Sequence, residues 1–330
     1  MATLPLLPGL EPRLIGIAKL ASEGESIREG HNVEYFTLPV RSLLNRCETK
    51  GRMPFSWTIN PYRGCEFGGK YFYARYTHEF MEVRDGIAFE QRIFVKQHAA
   101  DLLRQELRQV KLDESIAIGS ATDPYQPAER RYEITRGILQ VFAARENFSL
   151  GIISKSNLIL RDLDLLKAVA EHNHFGVTLT ITTLNTDLAR ILEPRAPRPD
   201  LRLEAVRQLH KAGLRVSVNC APVLPGITDS IRDLEPLVRA VAEIGRIRVN
   251  AIPLYLRPCS AAVFMPFLEK EFPHLAANYR ERYGKTAYLP KSYGKRISEL
   301  MEKLRKKYGL DGPRREARTP VTSQTQLKLF

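Results

Sequence analysis

"SIAIGSATDPYQPAERRYEITRGILQVFAARENFSLGIISKS", residues 115–156, holds a complete structural unit: an apolar run, a polar turn, an amphipathic stretch and a second apolar run ending in Ser and Lys. Short apolar runs without polar alternation are the mark of strands buried on both faces, and a helix between two such strands makes them parallel. The pattern continues on both sides. Upstream, WTINPY (57–62) and IFVK (93–96) precede HAADLLRQELRQV (98–110). Downstream come LILRDLDLLKAVAEH (158–172), VTLTITTL (177–184) with NTDLARIL (185–192), LRVSVNCAPVL (214–224) with DSIRDLEPLVRAVAEIG (229–245), and RIRVNAIPLYL (246–256). Six or seven such units predict an α/β fold, a complete or partial (β/α) barrel, with its functional face at the carboxyl ends of the strands.

Polar residues gather at those ends: Cys65, then Ser120, Thr122 and Asp123, then Ser154, Lys155 and Ser156, then Thr180, Thr182 and Thr183, then Asn219 and Cys220. Side chains of this kind at strand-to-helix junctions commonly satisfy orphan backbone amides, and that is the first reading for Thr183, Ser156 and Asp187. Around the barrel (46–256) the chain divides into an irregular amino-terminal extension (1–45), carboxyl-terminal helices (257–310) and a flexible, linker-like tail (311–330). Ile297, Leu300, Met301, Leu304 and Tyr308 recur at helical spacing and predict a last helix packed on the barrel by one face.

With 330 residues, 44% hydrophobic and 26% charged, the chain is long enough to bury a core and too apolar to be mostly disordered. No run of 18 apolar residues suggests a membrane span, and Pro5, Pro8, Glu11 and Arg13 break up the start where a secretion signal would lie. Cys47, Cys65, Cys220 and Cys259 lack the spacing of a disulfide framework, so the expected location is the cytoplasm, with reduced thiols and no membrane partner. The net charge of +13 raises the expectation of a nucleic-acid partner. Residues 291–318 carry ten basic against four acidic side chains, a surplus of six, which reads equally as a solvated helix face with a basic tail or as a polyanion patch.

The stretch "NPYRGCEFGGKYFYAR" (60–75) has the layout of a loop that clamps an iron-sulfur cluster. Together with "MPFSWTI" before it, "THEF" after it, and then "GSATDPYQPAE", "ISKS", "LEPRAPRPDLRLEAVRQLHKAGL" and "APVLPGITD" in order, it resembles the radical SAM superfamily, in the branch of spore photoproduct lyase and its bacterial relatives. The resemblance covers residues 53 to about 256 and implies S-adenosylmethionine (SAM) and a four-iron four-sulfur cluster as cofactors. In the family three cysteines spaced CxxxCxxC each bind one iron of a cubane, leaving the fourth iron for SAM. Here Cys65 holds the first position, but the others fall on Gly69 and Phe72, whose side chains donate no electron pair, and His78 is a poor substitute.

The resemblance further places Tyr71 where a backbone contact to adenine is made, and Ser120 and Lys155 where the amino-acid end of SAM is held, the ammonium of Lys155 facing its carboxylate. Glu193 reads first as a helix brace and Cys220 as a small buried apolar residue. The hydrogen-donor cysteine of the lyases has no counterpart, so their reaction does not carry over. Two alternatives to a radical enzyme acting on nucleic acid stay open: a nucleic-acid-binding barrel without a cluster, and a SAM-binding protein that works without one.

The tail contains "QTQLKLF" (324–330), in which Gln326, Leu327, Leu329 and Phe330 resemble the peptide that docks DNA-repair proteins on the bacterial sliding clamp. Lys328 departs from that pattern.

Overall fold

A computed structural model describes residues 14–30, 32–47, 54–83 and 85–311. Its strands run, in chain order, Ser26–Gly30 (β1), Val33–Leu38 (β2), Leu44–Arg46 (β3), Trp57–Ile59 (β4), Tyr62–Arg63 (β5), Arg92–Lys96 (β6), Ser115–Ile118 (β7), Ser149–Ser154 (β8), His174–Thr180 (β9), Val216–Val223 (β10) and Arg248–Pro253 (β11). Seven of them form one sheet in the order β11-β10-β9-β8-β7-β4-β3, in which β4 and β7–β11 are parallel neighbours and β3 is an antiparallel edge. Helices connect the parallel strands. Ile116, Ile118, Ile152, Val177, Leu179, Val218 and Val249 bury the sheet against Leu139, Phe142, Leu166, Val169, Val206, Leu209, Leu237 and Val241 of those helices. Because β11 pairs only with β10 among the described residues, the sheet is a partial barrel, open between its last and first parallel strands.

IFVK departs from the expected barrel position. As β6 it joins a second sheet, ordered β1-β2-β6-β5, parallel to β2 and antiparallel to β5. Its apolar run suits either sheet. The choice falls to β5, which doubles back on β6 immediately after β4, and to Phe36 of β2, whose ring stacks on Phe94 with centroids 5.3 Å apart. The described part of residues 1–45 likewise holds a helix (Gly16–Ser22) and strands rather than irregular chain. The polar residues of β2 mask it in a one-dimensional reading, and its partner β6 lies more than fifty positions away.

After β11 come the helices Pro258–Glu271, Ala276–Tyr283 and Lys291–Lys307. The last buries Ile297, Met301 and Leu304 in the main core, with Leu300 and Tyr308 packed at its margin. No helix among the described residues is long and apolar enough to cross a membrane. Gln326, Leu327, Leu329 and Phe330 lie outside the described residues.

Candidate functional site

The loop after β5 begins at Gly64 and reaches the short 3-10 turn Tyr73–Arg75. Gly68 has φ +63°, and a Cβ there would come within 2.8 Å of Glu90 Oε2, so the bend requires glycine. Arg75, fully buried, donates to the Gly69 carbonyl at 2.9 Å and pairs with Glu90, which locks the loop from behind. On its inner side Cys65, Phe67, Ala74 and Phe89 form an apolar cluster against which Phe72 and Tyr73 pack.

Cys65 is 1% exposed, and its amide donates to the Phe89 carbonyl at 2.9 Å. Burial first, and the nearby Asp123 carboxyl second, push its thiol up to about 12. The residues present do not fit an iron-sulfur cubane: Gly69 and Phe72 offer no donor, and phenylalanine rings occupy the inner side of the loop. His78 does not rescue it. Its Nε2 lies 3.1 Å from the Arg92 carbonyl, its ring meets Phe89 and Phe94 edge-on, and burial pulls its imidazolium down to about 4. Among the described residues no group of three or more His, Cys, Asp or Glu side chains is placed to hold a metal ion.

Beside this loop a polar network crosses the mouth of the barrel. The buried Tyr71 hydroxyl donates to Glu193 and lies 2.8 Å from Thr182 Oγ1, which in turn donates to the Ala221 carbonyl at 2.9 Å. Glu193 also faces Arg202 at 2.6 Å and Lys155 Nζ at 3.4 Å. Burial opposes its charge, yet the two cations outweigh burial and hold the carboxyl down at about 2. Arg202 is anchored by the Pro197 carbonyl at 2.7 Å and the Thr180 carbonyl at 3.1 Å. The Lys155 ammonium lies 5.5 Å from the Tyr71 ring centroid and 5.2 Å from that of Phe72, so it is shared between a carboxylate and two aromatic faces.

Ser120 follows β7, where Gly119 turns the chain at φ +87°; a Cβ there would sit 2.5 Å from Pro124 and 2.6 Å from the Ile153 carbonyl. That turn lets Asp123 bridge to the end of β8, accepting from Ser154 Oγ and from the Lys155 amide, each at 2.7 Å. Ser120 Oγ accepts from Asn60 at 3.3 Å, and its carbonyl accepts from the Tyr73 hydroxyl. Tyr71 and Lys155 therefore meet directly, Cys65 lies within the electrostatic reach of Asp123 and Lys155, and Ser120 stands on the adjoining strand end, joined to the loop by Tyr73.

Ser156 and Thr183 act as local braces, accepting from the amides of Leu158 at 3.2 Å and Asn185 at 3.1 Å. Cys220 is a buried core residue whose thiol faces the Thr182 carbonyl. Glu193, read from sequence as a helix brace, is instead the hub of the network. Its partner Arg202 was missed, although the signal existed: buried Arg202, Ala205, Val206 and Leu209 share one stripe of the helix Pro199–Lys211, and an arginine on an apolar stripe calls for a buried carboxylate.

Comparison with known proteins agrees with this architecture. Uncharacterized proteins of Mycobacterium tuberculosis and Mycobacterium bovis are 35% identical over 314 residues, covering 94% of this chain and 90% of theirs. An uncharacterized protein of Methanocaldococcus jannaschii is 27% identical over 284 residues, covering 83% of this chain and 95% of its own. Among solved structures, spore photoproduct lyase complexed with dinucleoside spore photoproduct shares the fold at a TM-score of 0.60 and 14% identity, over 83% of this chain and 79% of that one. Residues 59–239, from the end of β4 into the helix that follows β10, match the family profile described as Radical SAM superfamily, and the chain belongs to that superfamily.

Proposed function

We propose that this chain is a binding member of the radical SAM superfamily, engaging nucleic acid at the open mouth of its barrel without reductive cleavage of SAM. Membership implies SAM and a four-iron four-sulfur cluster. One observation carries the reading: the loop laid out for three thiolates holds only Cys65, which is enclosed by Phe67, Ala74 and Phe89. Without a cluster there is no source for the electron that splits SAM into a radical. Lys155, the candidate partner of the SAM carboxylate, is already paired with Glu193, which favours the binding reading over a cluster-independent SAM protein.

The net charge of +13 supports a polyanionic partner. The helix Lys291–Lys307 contributes less than its composition suggests, since Arg296 pairs with Asp229, Lys307 with Glu235 and Lys295 with Glu299, and Arg305 donates to the Val249 carbonyl. Among the described residues Lys70 and Arg257 take part in no ion pair, and Arg195 lies in the field of the Glu66 carboxylate. Lys70 lies on the loop and Arg195 beside it, their amides bonded to the Leu192 and Phe67 carbonyls.

Protein purified anaerobically is expected to be colourless and free of iron, and to bind a fluorescein-labelled DNA oligonucleotide with an affinity that falls linearly with salt on a double-logarithmic plot. Stoichiometric iron and sulfide, or no binding at low salt, would overturn it. Gln326, Leu327, Leu329 and Phe330 support a further part of the proposal, docking on the bacterial sliding clamp. Deleting residues 326–330 should abolish co-purification with the clamp, and unchanged co-purification removes that part.

A further inference from the structure

We propose that the rings of Tyr73, Tyr255 and Tyr288 form a stacking platform for unpaired bases, which makes the mouth a site selective for single-stranded nucleic acid. The inference rests on the nucleic-acid reading above and specifies where and in what form the strand binds.

The platform arises from the open side of the barrel. Tyr73 belongs to the loop after β5, the short strand that follows the first parallel strand, β4, and Tyr255 lies two positions beyond the last, β11. These strands stand at opposite ends of the parallel run, yet the two rings approach to 6.3 Å between centroids. Tyr288, on the segment between the helices Ala276–Tyr283 and Lys291–Lys307, lies against Tyr255 at 4.6 Å with 38° between planes. Inward, Tyr73 lies nearly parallel to Phe72, 12° between planes and 6.0 Å between centroids, and Phe72 meets Phe89 at 5.3 Å. Rings thus run without a break from the buried interior of the loop to the surface.

A ribbon like this serves a fold when its outer members are covered, and here they are not. Tyr288 is 59% exposed, and Tyr255 is only half-buried. The Tyr73 hydroxyl donates to the Ser120 carbonyl, which fixes that ring's tilt. Alongside, the Arg257 guanidinium lies 4.4 Å from the Tyr76 ring centroid, and Tyr76 meets Phe80, itself 60% exposed, edge-on at 5.8 Å. Arg257 has no carboxylate partner among the described residues, so its charge is available to a phosphate.

Aromatic faces beside free cations are how proteins hold single strands, because every base has a π-face while a closed duplex presents only edges. Neutral apolar ligands would leave Arg257 unmatched, and a duplex would leave the rings unmatched. An unpaired strand satisfies both.

The test is fluorescence anisotropy on the full chain, with fluorescein-labelled oligothymidine of about 20 nucleotides and a duplex of equal length. Wild type should prefer the single strand. Tyr288→Ala and Tyr255→Ala should each weaken oligothymidine binding about tenfold, leave duplex binding unchanged and keep the same salt slope, since no charge is removed. Tyr288→Trp should retain binding. Tyr288 is exposed, so its removal should leave the melting temperature unchanged and a binding loss readable as such. If both alanine variants hold oligothymidine as wild type does while Arg257→Ala weakens it, the platform is wrong and the nucleic-acid reading survives. If wild type binds neither probe, the nucleic-acid reading itself fails and the platform with it.

Discussion

Replacing Gly69 and Phe72 together by cysteine is expected to turn a colourless protein into a brown one that takes up about four irons per chain on anaerobic reconstitution. Three features of the loop support this outcome. Gly69 has no left-handed φ, so a side chain there meets no backbone strain. A Cβ at Gly69 would lie 3.9 Å from the Phe72 Cβ and in ordinary contact with its ring, so the two positions remain neighbours on the same bend. The bend itself is held by Gly68 and by Arg75 bonded to the Gly69 carbonyl, none of which the substitutions touch. Removing the Phe72 ring also clears one wall of the apolar cluster around Cys65. Adding Cys65→Ala should return the variant to iron-free. Should the double variant fold with the wild-type melting temperature yet bind no iron, the loop would have lost its cluster geometry along with its donors.

The other large effect concerns stability. Arg202→Met should destabilise the chain by about 3–5 kcal/mol, because it strands the buried Glu193 carboxylate with only the partly exposed Lys155 opposite. The sign with pH follows from Glu193, whose carboxyl is held at about 2, below its ordinary value of 4.5. Its contribution to wild-type stability is present above pH 4.5 and is lost as pH falls toward 2. In Arg202→Met that carboxyl rises, so the gap between wild type and variant in urea midpoints should be widest near neutrality and shrink in acid. Combining Arg202→Met with Glu193→Gln should cost much less than the sum of the two single changes, since no unpaired charge remains. Additive losses would mean that the two side chains do not act as a pair.

This pairing marks the limit of what a linear reading reaches. The network joins residues from the loop after β5 (Tyr71), the end of β8 (Lys155), the turn after β9 (Thr182), the end of the helix Thr186–Leu192 (Glu193) and the following helix (Arg202). Lys155 and Tyr71 were legible as strand-end and loop candidates. That they share Glu193 was not, because nothing in the spacing between residues 71 and 193 forecasts a hydrogen bond. The same holds for the rings: Tyr73 and Tyr255 are 182 positions apart and meet only because the fold lays the loop after β5 against the segment that follows β11.

Local chemistry was readable from the chain alone: the alternation of apolar runs and amphipathic helices, the buried face of the last helix, and the absence of donors at Gly69 and Phe72 all reside in short stretches. Tertiary structure decided partnership. It assigned IFVK to the second sheet although its apolar run suited either, made strands of a polar amino-terminal segment, and turned Glu193 from a brace into a hub. The physical reason is that periodicity and ligand chemistry are properties of neighbouring residues, whereas the choice among equally apolar edges, and the cost of burying a charge, depend on everything the fold packs around them.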